Sequence, residues 1–219
     1  MSEFRTEEEQ IAALKKWWSD NGRSLLIGIG LALVIVFAWK AYQNNVVLNK
    51  TAASSLYQQL IAEATKNNFD EVEEANTLNY LATELKTKFE STEYAIYAAL
   101  FLAKDAVAKK AYDLAKEELN WVLAHTDDQR IKHIVNGRLV RILSAEGSHE
   151  EALAMLNATI PEFEPAYLEL KGDIKNRMGE KEAAIAAYTA AYELIKDRPQ
   201  TQPLLAVKLS DLGVNPETL

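Results

Sequence analysis

The chain has 219 residues, no cysteine and a formal net charge of −8. All of that charge sits in the 177 residues from Gln43 onward, which hold 27 Asp and Glu against 19 Lys and Arg. An acidic domain without a basic stripe argues against nucleic acid as a partner and against lying flat on anionic lipid. The absence of cysteine removes disulfides and thiolate metal sites, and scarce glycine and proline among abundant Ala, Leu, Glu and Lys predict helix throughout.

Residues 1–23 form a polar arm. Glu7, Glu8 and Glu9 precede Ile11, Leu14 and Trp18, which share one helical face at i, i+3 and i+7. Acidic residues in a first turn suit the helix dipole, and Asn21-Gly22 predicts a helix stop. The arm reads as a short amphipathic helix that seats the following segment at an interface, with a docking site for a cytosolic partner as the alternative.

Ser24 to Trp39 is an uncharged apolar run closed by Arg23 and Lys40. Carried on to Tyr42 it has 19 residues, or about 28 Å of helix, against a hydrocarbon core of about 30 Å. Trp17 and Trp18 precede it, and Trp39 and Tyr42 close it, where interfacial aromatics belong. Residues 24–42 are therefore expected to be a single transmembrane helix. A buried core helix of this length would carry a polar face, and a cleaved signal peptide would show a small-x-small site after Trp39. Arg5, Lys15, Lys16 and Arg23 before the run outnumber Lys40 and Lys50 just after it, which places the N-terminus in the cytoplasm. The remainder then lies in the periplasm of a Gram-negative bacterium. Gly28 and Ala32 form a small-x-x-x-small pair suited to packing against another membrane helix.

Residues 43–219 carry a hidden repeat. Gly172, Gly179, Ala184, Tyr188 and Ala191 are spaced 7, 5, 4 and 3 residues apart. That pattern resembles the tetratricopeptide repeat, a helix–turn–helix unit. Gly172 and Ala184 let two antiparallel helices touch, Gly179 makes the turn, Tyr188 fills the gap to the next unit, and Ala191 admits the following helix. A second copy lies within Ile131–Ala158, with Leu139, Leu143, Gly147, Ala152, Leu153 and Leu156. A weaker third has Ala99, Ala103, Ala115, Leu119 and Val122, with Lys110 where the turn glycine would stand. A fourth helix pair, about Asn49–Asn67 and Asp70–Lys88, keeps apolar periodicity through Leu56, Leu60, Leu78, Leu81 and Leu85 but lacks the small residues. Thr201–Leu212, after Pro199, reads as the capping helix such an array needs. The expected fold class is all-α: one N-terminal transmembrane helix followed by a tetratricopeptide-like helical solenoid.

The whole pattern is similar to the YfgM family. The residues that carry the resemblance are Ile11, Ala13, Leu14, Lys15, Trp17, Trp18, Asn21, Gly22 and Arg23 leading into a Gly-containing anchor, the Trp39-x-x-Tyr42 exit and the divergent repeats. The resemblance implies a single-span inner-membrane protein that is an ancillary subunit of the SecYEG translocon, with its repeat domain beside the translocon exit. It also implies partnership with PpiD, a membrane-anchored periplasmic chaperone, and a part in handing unfolded or nascent envelope proteins to folding factors. A scaffold for envelope assembly or division remains as an alternative, since such repeats serve adaptor and scaffold equally well, and so does a membrane-tethered regulator that holds a cytosolic partner through its arm.

No catalytic, cofactor or metal site is expected. There is no HExxH pattern, phosphate loop or nucleophile elbow, and Gly28 and Gly30 fall inside the anchor. Surface positions at helix ends are expected for His125, His133 and His149. Binding is expected on the concave face lined by the first helix of each pair. By analogy with tetratricopeptide positions that face comprises Tyr97, Leu100, Lys104, Val107, Ile134, Arg141, Glu169, Asp173 and Arg177.

Overall fold

The computed structural model of the chain describes residues 7–66, 72–156, 160–196, 203–216 and 219. The described elements are all helical: α1 (Glu7–Lys66), α2 (Val72–Lys88), α3 (Glu93–Ala108), α4 (Tyr112–His125), α5 (Gln129–Glu146), α6 (His149–Ala154), α7 (Glu164–Arg177), α8 (Lys181–Glu193) and α9 (Pro203–Asp211). A 3-10 turn at Pro161–Phe163 precedes α7. Two compact units are present, Met1–Ala52 and Ala53–Leu219.

Within the first unit α1 begins on Glu7, Glu8 and Glu9 and does not stop at Asn21-Gly22. This corrects the expected break. Asn21 turns its side-chain amide back to donate to the Trp17 carbonyl at 3.1 Å. Gly22 keeps a helical backbone and lies under the Trp18 ring, 3.1 Å from where a Cβ would stand. One helical glycine costs about 1 kcal/mol, which a cooperative run of good helix formers on both sides outweighs. Among the described residues α1 is the one helix long and apolar enough to cross a membrane. Its most apolar window has a mean hydropathy of 2.2 and no buried residue. Soluble surfaces do not present apolar area on this scale, so this stretch needs an apolar solvent.

In the second unit the helices pair in sequence. Ala53 and Leu60 at the end of α1 share one buried cluster with Leu78, Ala82 and Leu85 of α2 and Ala98 of α3. The α3–α4 and α7–α8 pairs are extensive, and α9 closes the array on Ala184, Tyr188 and Ala191 of α8 through Leu205 and Leu209. The weak third copy folds as the strong ones do: Ala99, Ala103, Ala115, Leu119 and Val122 are all buried.

The turns explain why. Lys110, Gly147 and Gly179 have φ of 58°, 88° and 79°. Each is followed by an N–H that reaches back across the helix end: Ala111 to the Ala106 carbonyl, Ser148 to Leu143 and Glu180 to Lys175, all at 2.9 Å. This is the Schellman closure, which satisfies carbonyls that a helix end would otherwise leave open. The sequence marks it with glycine twice and hides it once behind a lysine.

The second copy is shorter than its pattern. Its second helix, α6, ends at Ala154. Pro161 ahead restricts Ile160, which is extended at φ −115° and ψ 119°, so helix cannot run through to α7. The expected limits at Asn67, Asp70, Ala158 and Thr201 lie outside the described residues.

Candidate partner-binding groove

A groove of about 560 Å3 opens in the second unit. Its size falls in the range of about 300–1,000 Å3 common to ligand sites. The end of α1 supplies Tyr57, Leu60 and Ile61, which share a face at i, i+3 and i+4. Helix α3 supplies Tyr97, Leu100, Phe101, Ala103, Lys104 and Val107, and α5 supplies Arg138, Arg141, Ile142 and Ala145. Tyr112 and Leu119 of α4 complete the lining. The small residues Ala95, Ala98 and Ala99 are fully buried on α3, so its neighbours approach closely while the larger side chains line the groove.

Tyr57 stands at the centre of an aromatic cluster, with ring centroids 5.4 Å from Tyr94 and 5.8 Å from Tyr97. Burial, then the neighbouring phenols, push its pKa above the ordinary tyrosine value. The charged lining residues are Lys104, Arg138 and Arg141, and no Asp or Glu stands among the described lining residues. Burial against the groove wall lowers the Arg138 pKa, and the Arg141 guanidinium nearby lowers it further.

Five of the residues singled out in the sequence thus line one groove: Tyr97, Leu100, Lys104, Val107 and Arg141. Ile134 is exposed on α5 and is not among the lining residues. Asp173 and Arg177 border a smaller cavity of about 260 Å3 together with Arg141. Arg177 donates to Ser144 Oγ at 2.9 Å. Glu169 and Asp173 are engaged from α9, where Lys208 Nζ lies 2.6 Å from a carboxylate oxygen of each. Gly28 and Ala32 sit on the exposed surface of α1, and a Cβ at Gly28 would meet nothing within 4 Å.

The sequence reading gave Leu60 as part of an apolar periodicity and not as a groove residue, and Tyr57, Ile61 and Arg138 escaped it. Arg138 stands at i−3 from Arg141, with Ile142 and Ala145 continuing the same face, so helical spacing alone held the signal.

The histidine expectation is corrected at His133, which is buried within α5. Its Nδ1 lies 3.0 Å from the Tyr167 hydroxyl, which itself donates to the His133 carbonyl at 3.0 Å. Its ring stacks on Phe163, with centroids 5.0 Å apart. Gly137 and Val140, four and seven residues further on, are buried on the same helical face, so this is a core position, and the polar ring fits because a tyrosine meets it. His125 stacks on Trp121 at 3.9 Å between centroids and reaches Glu90 at 2.9 Å.

Paired helices with left-handed closures and small residues at their contacts match a known pattern over residues 15–214, that of the tetratricopeptide repeat-like domain. The chain belongs to that family. Relatives of this tetratricopeptide repeat-like protein extend over its apolar helix as well. A Haemophilus influenzae protein is 28% identical over 207 residues, 94% of this chain and 97% of its own length. An Escherichia coli protein is 25% identical over 98% of this chain and 100% of its own length. A Neisseria gonorrhoeae protein is 24% identical over 97% of this chain and 100% of its own. All three carry the name ancillary SecYEG translocon subunit. No solved structure matches the chain significantly.

Proposed function

We propose that this protein is an ancillary subunit of the SecYEG translocon in the bacterial inner membrane and acts by binding other proteins, without catalysis. The observation that carries the reading is the near-complete coverage of relatives so named, which spans the apolar helix and the repeats together. In this reading residues 1–23 are a cytoplasmic arm, 24–42 cross the membrane once, and 43–219 form a periplasmic domain. The four basic residues before the span against two just after it support that orientation. Gly28 and Ala32 give a neighbouring membrane helix close access to α1. The groove of α1, α3 and α5 receives a segment of a PpiD-like chaperone or of an emerging envelope protein, in the manner of apolar grooves that take up partner segments.

The test is site-specific photo-crosslinking in native membranes, with the probe at Gly28, Leu100 or Arg141 and adducts identified by mass spectrometry. The expected result is translocon helices from Gly28, and a periplasmic chaperone or nascent chains from Leu100 and Arg141. Adducts confined to division or wall-assembly proteins would overturn the assignment.

A further inference from the structure

We infer that the groove of α1, α3 and α5 recognises a polypeptide segment in which carboxylates are set among apolar side chains, with Arg138 and Arg141 pairing with the carboxylates. This rests on the reading of the protein as an adaptor and names the chemistry of its partner.

The apolar half of the requirement comes from Leu60, Ile61, Leu100 and Val107. Ile61 and Val107 remain 42% and 40% exposed. Covering them releases water from apolar surface, which any aliphatic or aromatic side chain would do. Apolar surface by itself carries no preference for charge.

The charge requirement comes from the arginines. Arg138 and Arg141 stand three residues apart on α5, within one helical turn, and both face the groove. Their charges oppose each other, and neither forms an ion pair with a described residue. Several other cations between helices are matched: Lys86 with Glu118 at 2.7 Å, Lys116 with Glu146 at 3.0 Å, and Lys208 with Glu169 and Asp173. The 177-residue domain holds more carboxylates than cations, yet none of them lines this groove among the described residues. Two adjacent guanidiniums over an apolar floor therefore leave an unfilled demand for anions. A carboxylate meets it through parallel N–H···O bonds that strengthen as the segment excludes water. A basic segment would meet repulsion from both guanidiniums, so the same groups supply selectivity as well as attraction.

The test uses the full-length chain in nanodiscs of zwitterionic lipid and three fluorescent peptides of one amphipathic sequence, rich in Leu and Phe, with Glu, Gln or Lys at two fixed positions. The Glu peptide is expected to bind at least about tenfold more tightly than the Gln peptide, and the Lys peptide more weakly still. The Arg138→Glu, Arg141→Glu double variant is expected to reverse the order. Both side chains reach the surface, and an unchanged melting curve would show that the variant folds. Equal binding of the three peptides, a preference for Lys, or no binding by any would overturn the inference. The outcome separates from the translocon assignment: Gly28 adducts to translocon helices with no charge preference would sink this inference alone, and the reverse pattern would sink the assignment alone.

Discussion

Tyr188 of α8 lies against Gly172 of α7 so closely that a Cβ at Gly172 would stand 2.4 Å from two carbons of the ring. Tyr188 is 2% exposed and its hydroxyl donates to Asp173 at 2.8 Å, so the ring has no room to retreat. The small residue and the tyrosine are one device: the glycine exists so that the ring can cross the helix. Because the ring cannot retreat, Gly172→Ala is expected to cost about 2–3 kcal/mol in overpacking, offset by about 1 kcal/mol of better helix propensity, for a net loss of about 1–2 kcal/mol. Urea denaturation of the full-length chain measures it, and an unchanged midpoint would show that the ring moves aside freely.

Lys110 closes α3 at φ 58° in the position that Gly147 and Gly179 occupy at the ends of α5 and α7. An L-residue in the left-handed region costs about 1–2 kcal/mol, and glycine returns part of that through its freer unfolded chain. Lys110→Gly is expected to stabilise the protein by about 0.5–1 kcal/mol and Lys110→Asn by less. The check is the shift of the denaturation midpoint. Destabilisation by glycine would contradict the left-handed closure.

How much of this was legible in the sequence follows from which forces are local. The apolar run, the Gly179 turn and the small residues at helix contacts are spelled in adjacent letters, and the structure places each on an element of the expected type. Asn21-Gly22 misled because a local stop signal was overridden by the cooperativity of the helices on both sides. His133 misled because its partner, Tyr167, is 34 residues away, and only packing brings the two together. The groove was legible on α3, where Tyr97, Leu100, Lys104 and Val107 repeat at helical spacing. The contribution of Tyr57, Leu60 and Ile61 was not, since the copy they belong to has lost its small-residue signature.

Tyr167 serves His133 twice, accepting at one ring nitrogen's reach and donating to the backbone carbonyl, each at 3.0 Å. Tyr167→Phe keeps the ring but withdraws a hydrogen-bonding partner from two groups at a buried site. The expected loss is about 1–3 kcal/mol, larger than the change of one exposed hydroxyl would bring. The melting temperature and amide exchange along the start of α5 measure it. A variant as stable as the parent, with unaltered exchange at His133, would show that water or another group replaces the hydroxyl.

Tyr188 also sets how the fold answers alkali. Burial, then the hydrogen bond to Asp173 and the negative charges of Asp173 and Glu169, hold its pKa well above the ordinary value of 10.0, against a smaller opposite pull from Arg177. The folded chain therefore keeps this proton after the unfolded chain has released it. Above pH 10 the unfolded state binds fewer protons, so stability falls as pH rises, whereas below that value the contribution is constant. The same groups tie α9 to α7, because Lys208 bonds Asp173 and Glu169 beside the ring. Tyr188→Phe is expected to cost about 1 kcal/mol at neutral pH through the lost hydrogen bond, and then to lose stability less steeply than the parent between about pH 10 and 11. Tyr57 and Tyr167, whose pKa values burial also raises, keep a residual slope in both proteins. Urea midpoints taken across that range decide the matter: parallel declines in parent and variant would mean that the Tyr188 proton is not what alkali titrates.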